Sequence, residues 1–302
     1  MPHFALLLTA RAHADDVAAA NDVIAGRLGP GNAPRTDVLA AGRAVQWQFN
    51  VPTAGALDLL TAVREAFQHE PVDVNLIACD ENRRKRLLLA DMDSTIIGQE
   101  CIDEIAAFAG VGDTVAAITE RAMRGELDFE AALTERVGLL RGLDVQALAT
   151  VARERLTITP GARELVATMR AAGAWCVLVS GGFTYFTSRI AARVGFDQNQ
   201  ANTLEIRDGR LTGNPVLPIL GRAAKHEALG DLARARGLPL TATLAVGDGA
   251  NDLAMIEAAG LGVAFRANPL VAATADARID HGDLADILFL QGYRADEIVT
   301  PA

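Results

Sequence analysis

Leu87-Leu88-Leu89-Ala90-Asp91-Met92-Asp93-Ser94-Thr95 begins as a continuous apolar run and stops abruptly at a carboxylate. A short run bounded this sharply predicts a strand buried on both faces, as in a parallel sheet covered by helices. Trp175–Val179 repeats the pattern and ends in Ser180-Gly181-Gly182, and Leu244–Val246 ends in Gly247-Asp248. Helical patterns separate the three runs, which predicts an α/β fold with a Rossmann-like parallel sheet at its core. In open sheets of this kind the ligand crevice lies outside the carboxyl ends of the strands. Three separate segments therefore bring polar groups to one edge.

On either side of that core the patterning changes. Residues 97–156 are almost wholly helical in character, with amphipathic stretches at Glu100–Ala109 and Phe129–Leu140. An insertion directly after the first strand predicts a helical cap over the crevice, spanning about 97–158. Thr203–Leu211 alternates around Asp208-Gly209, a β-hairpin signal on the same side. The first eighty residues read β (Phe4–Leu8), α (Asp15–Leu28), a Gly/Pro/Asn turn (Gly29–Pro34), β (Thr36–Leu39), β (Ala44–Phe49), α (Gly55–Gln68), β (Val72–Ala78). The order βαββαβ predicts a small ferredoxin-like α+β domain. The expected boundaries are 1–82 for this unit and 83–302 for the core with its cap. The basic run Arg83-Arg84-Lys85-Arg86 between them is expected to be a solvated linker.

The chain has 302 residues, half of them hydrophobic, and a net charge of −10. That balance argues against a nucleic-acid backbone as partner, which needs clustered Lys and Arg. Cys79, Cys101 and Cys176 are odd in number and widely spaced. A disulfide framework or a zinc site is not expected, and a reducing, cytoplasmic setting is. The opening Phe4–Ala10 followed by Ala12-His13-Ala14 has the outline of a secretion signal. It lacks a positive leading segment, and Arg11 interrupts the approach to the cleavage-like site. No apolar stretch approaches the ~20 residues needed to span a bilayer, so no membrane partner is expected.

Phosphoryl transfer needs a nucleophile, a proton donor for the leaving oxygen and positive charge around the phosphoryl oxygens. Asp91 and Asp93, two residues apart at a strand end, can divide the first two tasks, although such a pair by itself is equally a turn or a helix cap. Asp248 could close a metal site with Asp91, since hard Mg²⁺ prefers carboxylate oxygens, and Asp252 could hold a metal-bound water. Ser180 and the backbone of Gly181 suit a phosphate; read alone they are a Gly-rich turn. Lys225 opens a helix and could offset the carboxylates, although alone it reads as a surface lysine. His226 beside it is expected to be an exposed helix histidine.

In combination and order, Asp91-x-Asp93-x-Thr95, Ser180-Gly181-Gly182, Lys225 and Gly247-Asp248-Gly249-x-Asn251-Asp252 resemble the haloacid dehalogenase-like phosphatases. Glu100, Ile102-Asp103-Glu104-Ile105-Ala106, Thr119-Glu120-Arg121-Ala122-Met123, Phe129 and Glu135-Arg136-Val137 narrow the resemblance to the phosphoserine phosphatases. The resemblance implies that Asp91 is the nucleophile and Asp93 the general acid/base, with its backbone carbonyl also on Mg²⁺. It implies Asp91, Asp93 and Asp248 as metal residues, with Asp252 behind them. Ser180, Gly181, Lys225 and Asn251 would hold the phosphate, Glu100 the substrate ammonium and Arg136 its carboxylate. A bidentate guanidinium suits that last task independently. Met123 and Phe129 would exclude water or simply pack the cap.

The implied activity is hydrolysis of O-phospho-L-serine through an aspartyl phosphate, the final step of serine biosynthesis. The alternatives are a phosphatase or phosphotransferase for another small phosphorylated amino acid, such as phosphothreonine or phosphohomoserine, and an amino-acid sensor with a vestigial phosphatase half. Residues 1–82 look like a diverged form of the ligand-sensing or dimer-forming unit that some relatives carry, which implies a homodimer through that unit.

Overall fold

The computed structural model describes residues 2–29, 33–123 and 126–301, with backbone alone at Met123 and Arg222. Residues 30–32 of the Gly29–Pro34 turn and the side chain of Met123 thus lie outside the described residues. The N-terminal unit runs β1 (His3–Thr9), α1 (Ala14–Leu28), β2 (Arg35–Ala40), β3 (Ala44–Asn50), α2 (Thr53–Ala66) and β4 (Asp73–Ala78). Its strands form an antiparallel sheet in the order β2-β3-β1-β4, the expected ferredoxin-like arrangement.

The core follows with β5 (Leu87–Asp91), and the cap supplies α3 (Cys101–Phe108), α4 (Gly112–Met123), α5 (Phe129–Gly138) and α6 (Val145–Glu154). The chain returns through α7 (Ala162–Ala171), β6 (Trp175–Phe183), α8 (Thr184–Val194), β7 (Gln198–Arg207) and β8 (Arg210–Val216). It ends with α9 (Arg222–Ala235), β9 (Thr243–Gly247), α10 (Leu253–Ala258), β10 (Gly262–Phe265), α11 (Pro269–Thr274), β11 (Ala277–Ile279) and α12 (Asp286–Leu290). The seven-stranded sheet has the order β11-β10-β9-β5-β6-β7-β8, parallel except for the edge strand β8. From β5 the chain goes to β6 on one side and β9 on the other. Asp91, the last residue of β5, therefore sits at the switch point where such sheets open a crevice.

Two connections tie the cap to the core. Ile97 bridges Ile158, Gly98 donates to Thr157 O and Thr159 to Ile96 O, so the chain leaves and re-enters the core side by side. The hairpin β7–β8 turns through Asp208 (φ 49°) and Gly209 (φ 74°), both left-handed as a type I′ turn requires. It packs on the cap, where Gly142 donates to Leu211 O and Val145 to Gly209 O.

β1 is a continuous apolar run because both of its faces are covered. Leu6 and Leu8 join Trp47 and Phe49 beneath α1 and α2, while Ala5 and Leu7 join Ala44 and Ile77 against the core domain. Polar contacts ring that second face. The buried Asp73 carboxylate accepts from the N–H groups of Asp280, His281 and Gly282, and Asn75 exchanges two bonds with the backbone of Arg278. Arg43 pairs with Asp283 and Asp286 at 2.6 and 2.7 Å. Burial, resisted by Arg43, raises Asp286 to about 6.

The basic run is not a solvated linker. Lys85 is buried, with its ammonium on the carbonyls of Thr241 and Gly260 at 2.8 and 3.0 Å. Arg83 spans the junction from Gln46 to Leu290 O, and only Arg84 and Arg86 face solvent. Ammonium and guanidinium groups can be buried here because backbone carbonyls at strand and helix ends accept their protons.

Asp73→Ala should expose the strength of this junction. It strands three backbone donors, so urea unfolding should show a loss of about 3 kcal/mol or more. A change below about 1 kcal/mol would mean water replaces the carboxylate without cost.

Candidate active site

The site assembles at the carboxyl ends of β5, β6 and β9. Past Asp91 the chain turns through Met92–Ile96, with Ser94 at φ 55°, so that Asp93 and Thr95 both fold back onto the crevice. Carboxylate oxygens of Asp91, Asp248 and Asp252 lie within 4.8 Å of one another. The ammonium of Lys225, from the first turn of α9, is buried between them, 2.6 Å from Asp91 Oδ1 and 2.6 Å from Asp252 Oδ1. Asp248 accepts from Thr95 Oγ1 at 3.0 Å, and Asp252 from the Gly249 N–H at 3.1 Å. A side chain at Gly247 would collide with the Asp252 carboxyl, which is why β9 ends in glycine.

Three carboxylates around one ammonium leave an excess of negative charge in a site with little solvent. Burial and Asp252 push Asp91 well above the usual carboxylate range, and Lys225 pulls it back. Burial and Asp252 also raise Asp248 to about 6. Burial would lower Lys225, but Asp91 and Asp252 more than offset it and hold it charged. Hard oxygen donors with surplus negative charge fit a divalent cation of the magnesium type.

Asp93 is held apart from this cluster. Its carboxylate accepts from the Cys101 N–H at the start of α3 (2.8 Å) and from Ser180 Oγ (2.9 Å). Ser180 Oγ in turn accepts from the Gly182 N–H at 2.8 Å. Two carboxyls of one turn thus sit in unlike surroundings, one beside an ammonium and the other among neutral donors. That asymmetry lets one serve as nucleophile and its neighbour as acid.

The cap supplies the outer wall. Glu100, at the open mouth, accepts from Ser94 Oγ at 2.7 Å, and burial together with Asp93 raises it to about 7. Arg136 on α5 donates to Ala132 O; burial lowers it, against the pull of Asp103 and Glu100. Phe129 packs over the backbone of Gly181, close enough that a side chain there would press on its ring. Asn251 lies on the loop between Asp248 and Asp252, and His226 is exposed.

The structure brings Asp91, Lys225, Asp248 and Asp252 together, with Asp93 and Ser180 paired beside them and Glu100 bonded to Ser94 of the same turn. The Asp252 carboxylate lies near those of Asp91 and Asp248, held by Lys225 and the Gly249 N–H, while the Asp93 side chain faces Cys101 and Ser180; the expected metal contact of Asp93 is through its backbone carbonyl. Sequence reasoning left Thr95, Ser94 and the Cys101 N–H without roles. Thr95 stood in the quoted motif, so its spacing from Asp91 was the available signal.

A model of haloacid dehalogenase-like hydrolases matches residues 88–257. The chain is 45% identical over 252 residues to a phosphoserine phosphatase of Streptomyces coelicolor, a match covering 83% of this chain and 61% of that protein. It spans 60% of the length of the Archaeoglobus fulgidus relative. Among solved structures, a probable phosphoserine phosphatase from Vibrio cholerae superposes with a TM-score of 0.80 at 35% identity, covering 96% of this chain and 86% of that one. With β5 at the switch point, three motifs at strand ends, Lys225 in the first turn of α9 and a family model matched across them, this chain belongs to the haloacid dehalogenase-like hydrolases.

Proposed function

We propose that this chain hydrolyses O-phospho-L-serine to serine and phosphate, the last step of serine biosynthesis. The observation that carries the reading is the division of labour between Asp91, ion-paired to Lys225, and Asp93, held by Ser180 and the Cys101 N–H. The relatives named as phosphoserine phosphatases support the same substrate.

In the first step an Asp91 oxygen attacks phosphorus and the bond to the serine oxygen breaks, with Asp93 giving its proton to that oxygen. In the second, water attacks the aspartyl phosphate, loses its proton to Asp93 and frees Asp91. Lys225 neutralises phosphoryl charge, and Ser180, Gly181 and Asn251 hold the phosphate. Asp91, Asp248 and the backbone carbonyl of Asp93, with Asp252 close behind, would hold Mg²⁺, which supplies further charge neutralisation on the phosphoryl oxygens. Glu100 receives the substrate ammonium and Arg136 its carboxylate. The same proposal takes residues 1–82 as a regulatory-type domain that pairs two chains, and 97–158 as the cap of a cytoplasmic enzyme.

The direct test is phosphate release from L-phosphoserine, phosphothreonine and p-nitrophenyl phosphate, each with Mg²⁺ and with EDTA. Preference for phosphoserine that EDTA abolishes is the expected result. Metal-dependent activity on the aryl phosphate alone would overturn the substrate. Arg136→Ala should lower kcat/KM for phosphoserine about 10–100-fold, the worth of a charged hydrogen-bonded pair, and leave the aryl phosphate nearly unchanged. Equal losses on both would remove Arg136 from carboxylate recognition.

A further inference from the structure

Asn202 lies on β7 opposite Phe183 of β6, is 2% exposed and belongs to none of the motifs above. Its amide joins the end of β6 to the loop before α9. Nδ2 donates to Gly181 O at 2.9 Å and to Leu220 O at 3.3 Å, and Oδ1 accepts from the Leu220 N–H at 2.6 Å. Gly181 follows Ser180, whose hydroxyl holds Asp93. Leu220 precedes Gly221, the residue before the helix that carries Lys225. One buried side chain therefore bridges the end of β6, which carries Ser180 and Gly181, and the start of the helix that presents the buried cation. From the cap side, Phe129 rests over Gly181 and comes near Gly221, so it touches both segments that Asn202 joins.

We propose that Asn202 is a positioning residue for phosphate binding, fixing the end of β6 at Gly181 against the start of α9 without touching substrate. This rests on the reading of the crevice as a phosphate monoester site. The backbone offers no substitute for the amide, because Gly181 O and Leu220 O are both acceptors and need a donor between them. A shift of about 1 Å in such a segment costs roughly 100-fold in rate.

The test compares wild type, Asn202→Ala and Asn202→Asp in the full chain with Mg²⁺. The readouts are kinetics on phosphoserine and p-nitrophenyl phosphate, and calorimetric binding of inorganic phosphate. Asn202→Ala should lower kcat/KM about 10–100-fold on both substrates alike and weaken phosphate binding by a similar factor. That pattern is unlike Arg136→Ala, which spares the aryl phosphate. Asn202→Asp keeps the shape and the acceptor for Leu220 but loses the donors, so it reads the Gly181 bond if the alanine variant fails to fold. A folded variant with lowered thermal stability but unchanged phosphate affinity and kinetics would overturn the proposal and leave Asn202 a core residue. Should the wild type hydrolyse the aryl phosphate but not phosphoserine, the substrate reading falls while the Asn202 comparison is still read on the aryl phosphate. Should it turn over neither, phosphate binding alone decides: equal affinity in wild type and variant overturns the proposal.

Discussion

Asp91→Asn removes turnover, with kcat falling on the order of 10⁴-fold or more, as loss of a covalent nucleophile does. The amide keeps the size and one acceptor of the carboxylate, so the turn through Met92–Ile96 and its bonds to Cys101 and Ser180 have no reason to move. The charge balance even eases, because Asp91 and Asp252 share a single ammonium at 2.6 Å each. The variant should therefore unfold at nearly the wild-type temperature and still bind inorganic phosphate, while no acyl phosphate forms on residue 91. Activity within tenfold of wild type would assign the nucleophile elsewhere, with Asp93 the next residue to examine.

Lys225→Met should be less damaging in rate and far worse in stability. The ammonium is enclosed, and removing it leaves Asp91 and Asp252 facing each other without a cation. Breaking a buried pair from one side costs about 3–5 kcal/mol, and loss of a charge that stabilises the transition state costs roughly 10³-fold in kcat. The sign of the pH dependence follows. Burial and Asp252 already hold the folded-state affinity of Asp91 for a proton above its unfolded value. Without Lys225 to oppose them, the folded variant binds more protons than the unfolded chain. Its stability is then present at acidic pH and is lost as pH rises through that raised value. Urea unfolding at mildly acidic and mildly alkaline pH checks this; a variant more stable at the alkaline end would refute the account. Added Mg²⁺ should recover part of the loss by supplying the missing positive charge.

The fold was legible because its strands are buried on both faces and so appear as uninterrupted apolar runs with polar residues at one end. The crevice was legible because Asp91, Ser180 and Asp248 each follow such a run directly. Other features depend on partners far away in the chain. Lys85 meets the carbonyls of Thr241 and Gly260, 156 and 175 positions on, and nothing local separates a basic run that will be buried from one that stays in water. Asn202 is one of four amides in β7, and the partners that set it apart, Gly181 and Leu220, lie 21 and 18 positions away in the chain. The ion pair of Asp252 with Lys225, 27 positions back, is likewise a product of the packing of α9 against α10.

The docking of β1 and β4 on residues 278–294 also has a history in time. The N-terminal unit is made first, yet Asp73 and Asn75 wait for backbone more than two hundred positions later, as the pairing of Asn75 with Arg278 at a separation of 203 residues records. At a synthesis rate of about 5–20 residues per second, that face stays uncovered for roughly 10–40 s. Leu7 and Ile77 spend the interval facing water or a chaperone, and the last strand of the core closes the first domain as well as its own sheet.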